Sequence, residues 1–373
     1  MKNEIPKRVL FILSSMEIGG VQSGIMNFAK ITNPQKAQFD IVVLEEKIGF
    51  HEKDFLKYGK IYHVKTVKSK NRVLSCLTPF INDLIVKRKM KQLLENNPGY
   101  DVVHSKSLLY SAGIAEAAQN ANIPIIVTQC HVDKPDKLNF VYQCYYHWCA
   151  KRIEKTGAVK LAVSPKAVDL MYGKYGGRVI KNPTISLKRF NPQKFNAPPH
   201  DGIKMIQVGT FSHRKNQVFS VKILRELLKR GIKAKLTFVG FSFDEPDYIN
   251  EINNAVGEFE CKDNVTFLPK DSDIPQLLSE HDIMLIPSVR EGLPNVALEA
   301  QAMGMTCFVS DTVNRQTDCG LVHFLPIDAP SVWADAIIRY ANDSGLEKKY
   351  IDMSMWDNEK VIEEYIAIWN GQG

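Results

Sequence analysis

The stretch "NPTISLKRFNPQKFNAPPHDG" spans residues 182–202. It holds four prolines and three asparagines and shows no apolar period, so it reads as a linker. On both sides of it, short β-branched apolar runs alternate with longer amphipathic stretches. Upstream, strands are expected at 8–15, 39–44, 101–105, 123–128 and 159–164, with helices at 20–31, 80–96, 107–120, 138–156 and 165–173. Downstream the alternation restarts. Strands are expected at 203–209, 235–240, 264–269, 282–287 and 306–310, with helices at 215–230, 247–257, 274–280, 294–303 and 331–342. Each series is a βαβ series and predicts a doubly wound parallel sheet. The fold class is α/β, with two Rossmann-like domains in tandem. We place them at 1–185 and 186–355, followed by a segment 356–373. A final helix at 358–371 sets Ile362, Tyr365, Ile366 and Trp369 on one face, and such a face must pack on something.

The bulk properties agree with this. A chain of 373 residues is too long for one ordinary core and sufficient for two. With 45% hydrophobic and 24% charged residues it is globular rather than disordered. No apolar run approaches the roughly 20 residues of a membrane-spanning helix, and "VLFILSS" near the start reads as a buried strand rather than a signal peptide. Seven cysteines without a CxxC pattern suggest reduced, buried thiols and a cytoplasmic protein. Cys144 and Cys149, with His131 and His147 nearby, fit no usual metal-ligand spacing. The net charge of +7 is uneven. Residues 1–185 carry 28 Lys/Arg against 15 Asp/Glu, or +13, and residues 186–373 carry −6. The basic half suits something anionic, such as a membrane surface at the inner face of the cell; a solvated basic face is the plainer reading.

"EGLPNVALEAQAMGMTCFVSD" (291–311) carries the chemistry. Pro294 suits the first turn of a helix that stops at Gly304. Glu291 lies on the loop before that helix, and Glu299 lies about a turn and a half inside it. First-turn N–H groups and the positive helix end favour a phosphate, and each glutamate can accept hydrogen bonds from hydroxyls. The plainer reading is a capping carboxylate and an exposed helix glutamate. In "VGTFSHRKNQ" (208–217), Arg214 and Lys215 follow a strand end, where they can neutralise an anion. Gly19 and Gly20 let backbone approach a ligand closely after the first strand. There is no GxGxxG and no GxxxxGK[ST], so neither a nicotinamide dehydrogenase nor a P-loop nucleotidase is expected.

Together with "DVVHS", "TQCH", "LAVS", "NPTISLKRF", "VSD" and "PIDAPSVWADAI", in this order along nearly the whole chain, these motifs resemble the family 4 retaining glycosyltransferases of GT-B fold, in their exopolysaccharide- and capsule-synthesis branch. The resemblance implies two domains facing a central cleft, with the helix at 358–371 crossing back to the first. It implies a nucleotide-sugar donor, UDP-linked in this branch, and a saccharide or lipid-linked saccharide acceptor. By similarity, Glu291 holds the donor sugar, Glu299 the ribose, and Lys215 the diphosphate. Gly20 approaches the phosphates, the backbone of Leu293, Pro294 and Asn295 lines the sugar pocket, and His131 faces the reacting sugar. Family members often carry Arg directly after the glycine that ends the second domain's first strand. This chain has Thr210 there, leaving Arg214 or His213 to supply the charge. The one DxD triplet, Asp271-Ser272-Asp273, lies outside these motifs, and the resemblance implies no cofactor, no divalent metal and no nucleic acid partner. The aromatic, basic stretch 139–157 and "IVKRKMK" (85–91) are the candidates for membrane contact. Two other readings are a nucleotide-sugar epimerase or hydrolase on the same fold, and a non-catalytic nucleotide-binding scaffold.

Overall fold

The structure is a computed structural model that describes residues 6–17, 20–45, 48–49, 51–66, 72–132, 140–240, 245, 247–291 and 293–372. The chain forms two compact units, residues 1–184 with 355–373, and residues 185–354.

The first unit contains β1 (Lys7–Leu13), α1 (Gly20–Ile31), β2 (Ala37–Val43), α2 (Glu52–Phe55), β3 (Ile61–His63), α3 (Arg72–Asn96) and β4 (Val102–Ser105). It continues with α4 (Ser111–Asn120), β5 (Ile125–Cys130), α5 (Phe140–Lys155), β6 (Val159–Ala162), α6 (Pro165–Tyr172) and β7 (Arg178–Val179). Its sheet runs β3-β2-β1-β4-β5-β6-β7 and is parallel throughout. The order reverses between β1 and β4, which places a crevice beyond their carboxyl ends. Strand alternation splits the core into two layers. Leu10 and Ile12 join the helices of one face, and Val9, Phe11 and Leu13 join those of the other.

That second face is closed by α12 (Asn358–Trp369), which follows the whole second unit in sequence. Trp369 is fully buried against Phe11, Phe28 and Phe39, with ring centroids 5.5–5.8 Å apart. Tyr365 meets Phe28 edge-on at 5.0 Å. Burial of aromatic side chains in such edge contacts is what holds the helix in place. On the opposite face Arg152 of α5 ties three helices together, bonding Glu116 of α4 at 2.7 Å through two nitrogens and Asp83 of α3 at 2.5 Å.

The second unit contains β8 (Ile203–Val208), α7 (Gln217–Lys229), β9 (Ala234–Val239), α8 (Tyr248–Glu258), β10 (Val265–Leu268) and α9 (Ile274–Glu280). β11 (Ile283–Ile286), α10 (Asn295–Ala302), β12 (Thr306–Ser310), β13 (Val322–Leu325) and α11 (Pro330–Ser344) complete it. Its parallel sheet runs β10-β9-β8-β11-β12-β13, so its switch point lies between β8 and β11.

Two details correct the sequence reading. Helix α3 begins at Arg72, not near 80, and runs through Pro79. Pro294 stands at the N-cap of α10 with ψ 110°, outside the first turn where the sequence reading put it. An extended ψ ahead of the helix lets the chain enter from the loop that carries Glu291.

Candidate active site

The second unit's switch point gathers three loops. Val289 N–H donates to the Arg214 carbonyl, and Thr312 Oγ1 donates to the Ser288 carbonyl. A backbone bridge joins Glu291 to Val313. The loop after β11 is thereby stitched to the loops after β8 and β12, which positions Glu291 beside Lys215. Lys215 Nζ donates to Glu291 Oε1 at 2.5 Å, and Ser288 Oγ donates to Glu291 Oε2 at 3.0 Å. The two side chains are only 13% and 12% exposed, so this is a shielded ion pair. Gln207 anchors the Lys215 carbonyl at 2.8 Å, and Gln217 anchors that of Thr210 at 2.9 Å.

The floor between β8 and β9 depends on glycine. Gly240 has φ +157°, and a Cβ there would stand 1.9 Å from the Gly209 carbonyl oxygen. No side chain fits, and the strand ends come close enough to leave the edge open.

Glu299 lies on the fifth residue of α10. Its carboxyl has no hydrogen-bond partner among the described residues, and burial pushes it up to about 7, with Arg189 pulling in the other direction. Leu293 and Asn295 are partly exposed at the helix entry and Pro294 is buried. The first turn of α10 leaves backbone donors there. Arg214 is exposed. His213 is committed elsewhere. It pairs with Glu245 and with Glu251 at 3.1 Å, which raises its proton affinity above the ordinary imidazole value. Arg214, the other candidate to replace the arginine absent at Thr210, makes no ion pair among the described residues, although its charge acts on Glu245.

In the first unit, Gly20 opens α1, and Gly19 lies outside the described residues. His131 follows β5 directly. Its Nδ1 is 3.1 Å from Asn182 Nδ2, and its Nε2 is shielded from solvent with no partner among the described residues. Burial, then the nearby Lys106 charge, holds its proton affinity well below the usual value.

The family model of glycosyl transferases group 1 matches residues 188–351, the segment that builds this loop cluster. Those residues form a group 1 glycosyl transferase domain, and the chain is a glycosyltransferase. It is 25% identical to the putative glycosyltransferase EpsF of Bacillus subtilis, over 99% of this chain and 97% of that one. It is 23% identical to the UDP-Gal:alpha-D-GlcNAc-diphosphoundecaprenol alpha-1,3-galactosyltransferase of Escherichia coli, over 66% of this chain and 68% of that one. Among solved structures it superposes on Anabaena HepE in complex with UDP, with a TM-score of 0.67 at 16% identity over 98% of both chains. The fold is that of the GT-B enzymes.

Sequence reasoning missed part of this glycosyltransferase's polar interior. Lys106, one residue past "DVVHS", is 5% exposed and donates to Gln129 Oε1 at 2.7 Å. Gln129 Oε1 also meets His104 Nε2 at 3.0 Å, and Gln129 Nε2 donates to Tyr365 Oη at 2.5 Å. His104 is fully buried. A lysine ending an apolar strand was the available signal. Asn182 had none beyond opening the linker.

Of the two basic candidates for membrane contact, the run at 85–91 is partly neutralised. Lys87 pairs with Glu116 at 2.6 Å, Lys91 lies 3.7 Å from Glu95, and Lys89 bonds the Lys65 carbonyl. Helix α5 buries Tyr145, Tyr146, Cys149 and Ile153 and leaves Phe140 75% exposed. No helix is long and apolar enough to cross a membrane, and no group of three His, Cys, Asp or Glu is placed to hold a metal, among the described residues.

Proposed function

We propose that this glycosyltransferase moves a sugar from a UDP-sugar to a lipid-linked saccharide in cell-surface polysaccharide synthesis, with retention of anomeric configuration and without a divalent metal. The observation that carries this reading is the shielded Lys215–Glu291 pair at the switch point, with Glu299 eight residues on. Lys215 takes the diphosphate, Glu291 the sugar hydroxyls and Glu299 the ribose, and the backbone at 293–295 lines the sugar pocket. Arg214 adds positive charge for the leaving group. By the resemblance, Gly20 is assigned to the phosphates and His131 to the donor sugar.

As the bond from anomeric carbon to phosphate breaks, the sugar gains oxocarbenium character and the diphosphate gains charge. Lys215 and the α10 entry stabilise that charge more in the transition state than in the ground state, and this difference is what accelerates the step. The acceptor hydroxyl attacks from the face the diphosphate leaves. The UDP donor and lipid-linked acceptor in the name of the E. coli relative, and UDP in HepE, support the substrate assignment.

The acceptor's lipid suits the outer face of α3. Leu77, Ile81 and Leu84 are 53%, 45% and 55% exposed. With exposed Arg88 they fall within about 60° of arc, an apolar stripe that ends at a basic residue. We place the contact with an anionic inner membrane surface there.

The test is thermal-shift stabilisation by UDP, GDP, ADP and their sugars without added metal. The expected result is a shift with UDP, enlarged by one UDP-sugar and lost in Lys215→Ala. No shift with any nucleotide overturns the reading.

A further inference from the structure

His131 meets Asn182 through Nδ1, and the amide group turned toward it is Nδ2, which can only donate. Nδ1 must therefore be the bare, accepting nitrogen, and a neutral ring then carries its proton on Nε2. That Nε2 is out of solvent contact and unpartnered among the described residues, at the carboxyl edge of β5 next to the sheet's switch point. A shielded N–H without an acceptor costs free energy until an oxygen fills the space before it.

The surroundings favour the neutral ring. Behind it, β4 supplies His104, the residue after β4 is Lys106, β5 supplies Gln129, and α12 supplies Tyr365. Lys106 Nζ sits among the rings of Phe11, Phe28 and Tyr365 at 4.9–5.9 Å, and Gln129 Oε1 is its hydrogen-bond acceptor. Burial holds the proton affinity of Lys106 itself well below its usual value, and among the described residues no carboxylate acts on His131. A protonated His131 would be a buried cation without a counter-ion.

We propose that Asn182 is a positioning residue that fixes His131 as the neutral Nε2–H tautomer, so that His131 serves the reaction as a hydrogen-bond donor to a ligand oxygen and not as a proton acceptor. The role in the reaction rests on the proposed function above; the tautomer does not.

The test has two arms on the full chain. The first is ¹⁵N NMR of histidine-labelled protein, with His131→Asn used to assign the ring among the nine histidines. The expected wild-type signal is a neutral Nε2–H ring from pH 6 to 8. An Nδ1–H ring, or a protonated one, overturns the proposal.

The second arm is kinetic. In Asn182→Asp the carboxylate can only accept, so it draws a proton onto Nδ1 and strips or reverses the Nε2 donor. The expected loss in kcat is about 10- to 100-fold. A new pH dependence between 6 and 8 and an unchanged UDP-induced thermal shift should accompany it. Asn182→Ala, which removes the constraint without reversing it, should lose markedly less. Equal losses in the two variants would show that Asn182 only fills space, and would overturn the proposal. If the wild-type chain turns over no nucleotide-sugar, the proposed function fails, and the NMR arm still decides the tautomer.

Discussion

Lys215 Nζ and Glu291 Oε1 stand 2.5 Å apart, so the residue assigned to the diphosphate and the residue assigned to the sugar hold each other. A ligand that engages both must exchange this contact for its own. A nucleotide without a sugar would free Lys215 and leave Glu291 with Ser288 alone, whereas a nucleotide-sugar gives both partners something in return. Removing either side chain strands a shielded charge. Glu291→Gln and Lys215→Met should each cost about 2–3 kcal/mol of stability, and the double variant clearly less than their sum, as read from urea midpoints in a double-mutant cycle.

Activity should rank differently from stability. Glu291→Ala should lower kcat/KM more than Glu299→Ala, because the sugar rather than the ribose sits at the reacting centre. Each lost charged hydrogen bond is worth about 1.5–3 kcal/mol. Turnover undiminished in Glu291→Ala would place the sugar elsewhere.

Glu299 should make donor binding depend on pH. Burial raises its carboxyl to about 7, so below that pH it is protonated and above it ionised. The ionised form is the better acceptor for ribose hydroxyls, so UDP affinity should rise between pH 6 and 8, and Glu299→Gln should flatten the rise. Stability runs the other way. A carboxyl whose folded value lies above its unfolded one favours the fold at low pH and loses that contribution as pH climbs through about 7. At pH 8 Glu299→Gln should therefore be more stable than the wild type, by on the order of 1–2 kcal/mol after solvent screening.

Gly240→Ala should be severe. The added methyl meets the Gly209 carbonyl at 1.9 Å, and φ +157° is strained for any L side chain. A loss of at least about 2–3 kcal/mol is expected in urea unfolding, together with loss of the UDP-induced shift.

Chelation gives an independent check on the diphosphate site. Turnover in EDTA should match turnover in magnesium, since Lys215, Arg214 and the α10 entry are assigned the charge a metal would carry. A strict metal requirement would move the leaving group away from Lys215.

The central strands were legible because both their faces are buried, which writes continuous apolar runs such as "VLFIL" and "IMLI" into the sequence. Of the edge strands, β10 was expected at 264–269, and β3, β7 and β13 were not. β7 is two exposed residues, and β3 is two half-exposed residues and an exposed one, too short to show any period. The helix was expected from residue 80, just past Pro79, yet α3 continues upstream through that proline. At the site, Glu291, Glu299 and Lys215 stood out through their place in motifs. Their pairing did not, because Lys215 and Glu291 lie 76 positions apart and only the sheet order brings them together. Lys106 and Asn182 escaped for the same reason: each matters through a neighbour from a different strand or loop.

Helix α12 gives the first unit a gap in its own timetable. The elements that carry Phe11, Phe28 and Phe39 leave the ribosome early, but the aromatic side chains that cover them belong to residues 355–373, which are made only after the 170 residues of the second unit. At ordinary synthesis rates that is an interval of roughly 10–35 s. Throughout it the nascent first unit shows an uncovered aromatic face, while the second unit, continuous in sequence, is free to fold on its own. A chain interrupted before residue 355 would therefore leave that face bare, a natural target for chaperones and proteases.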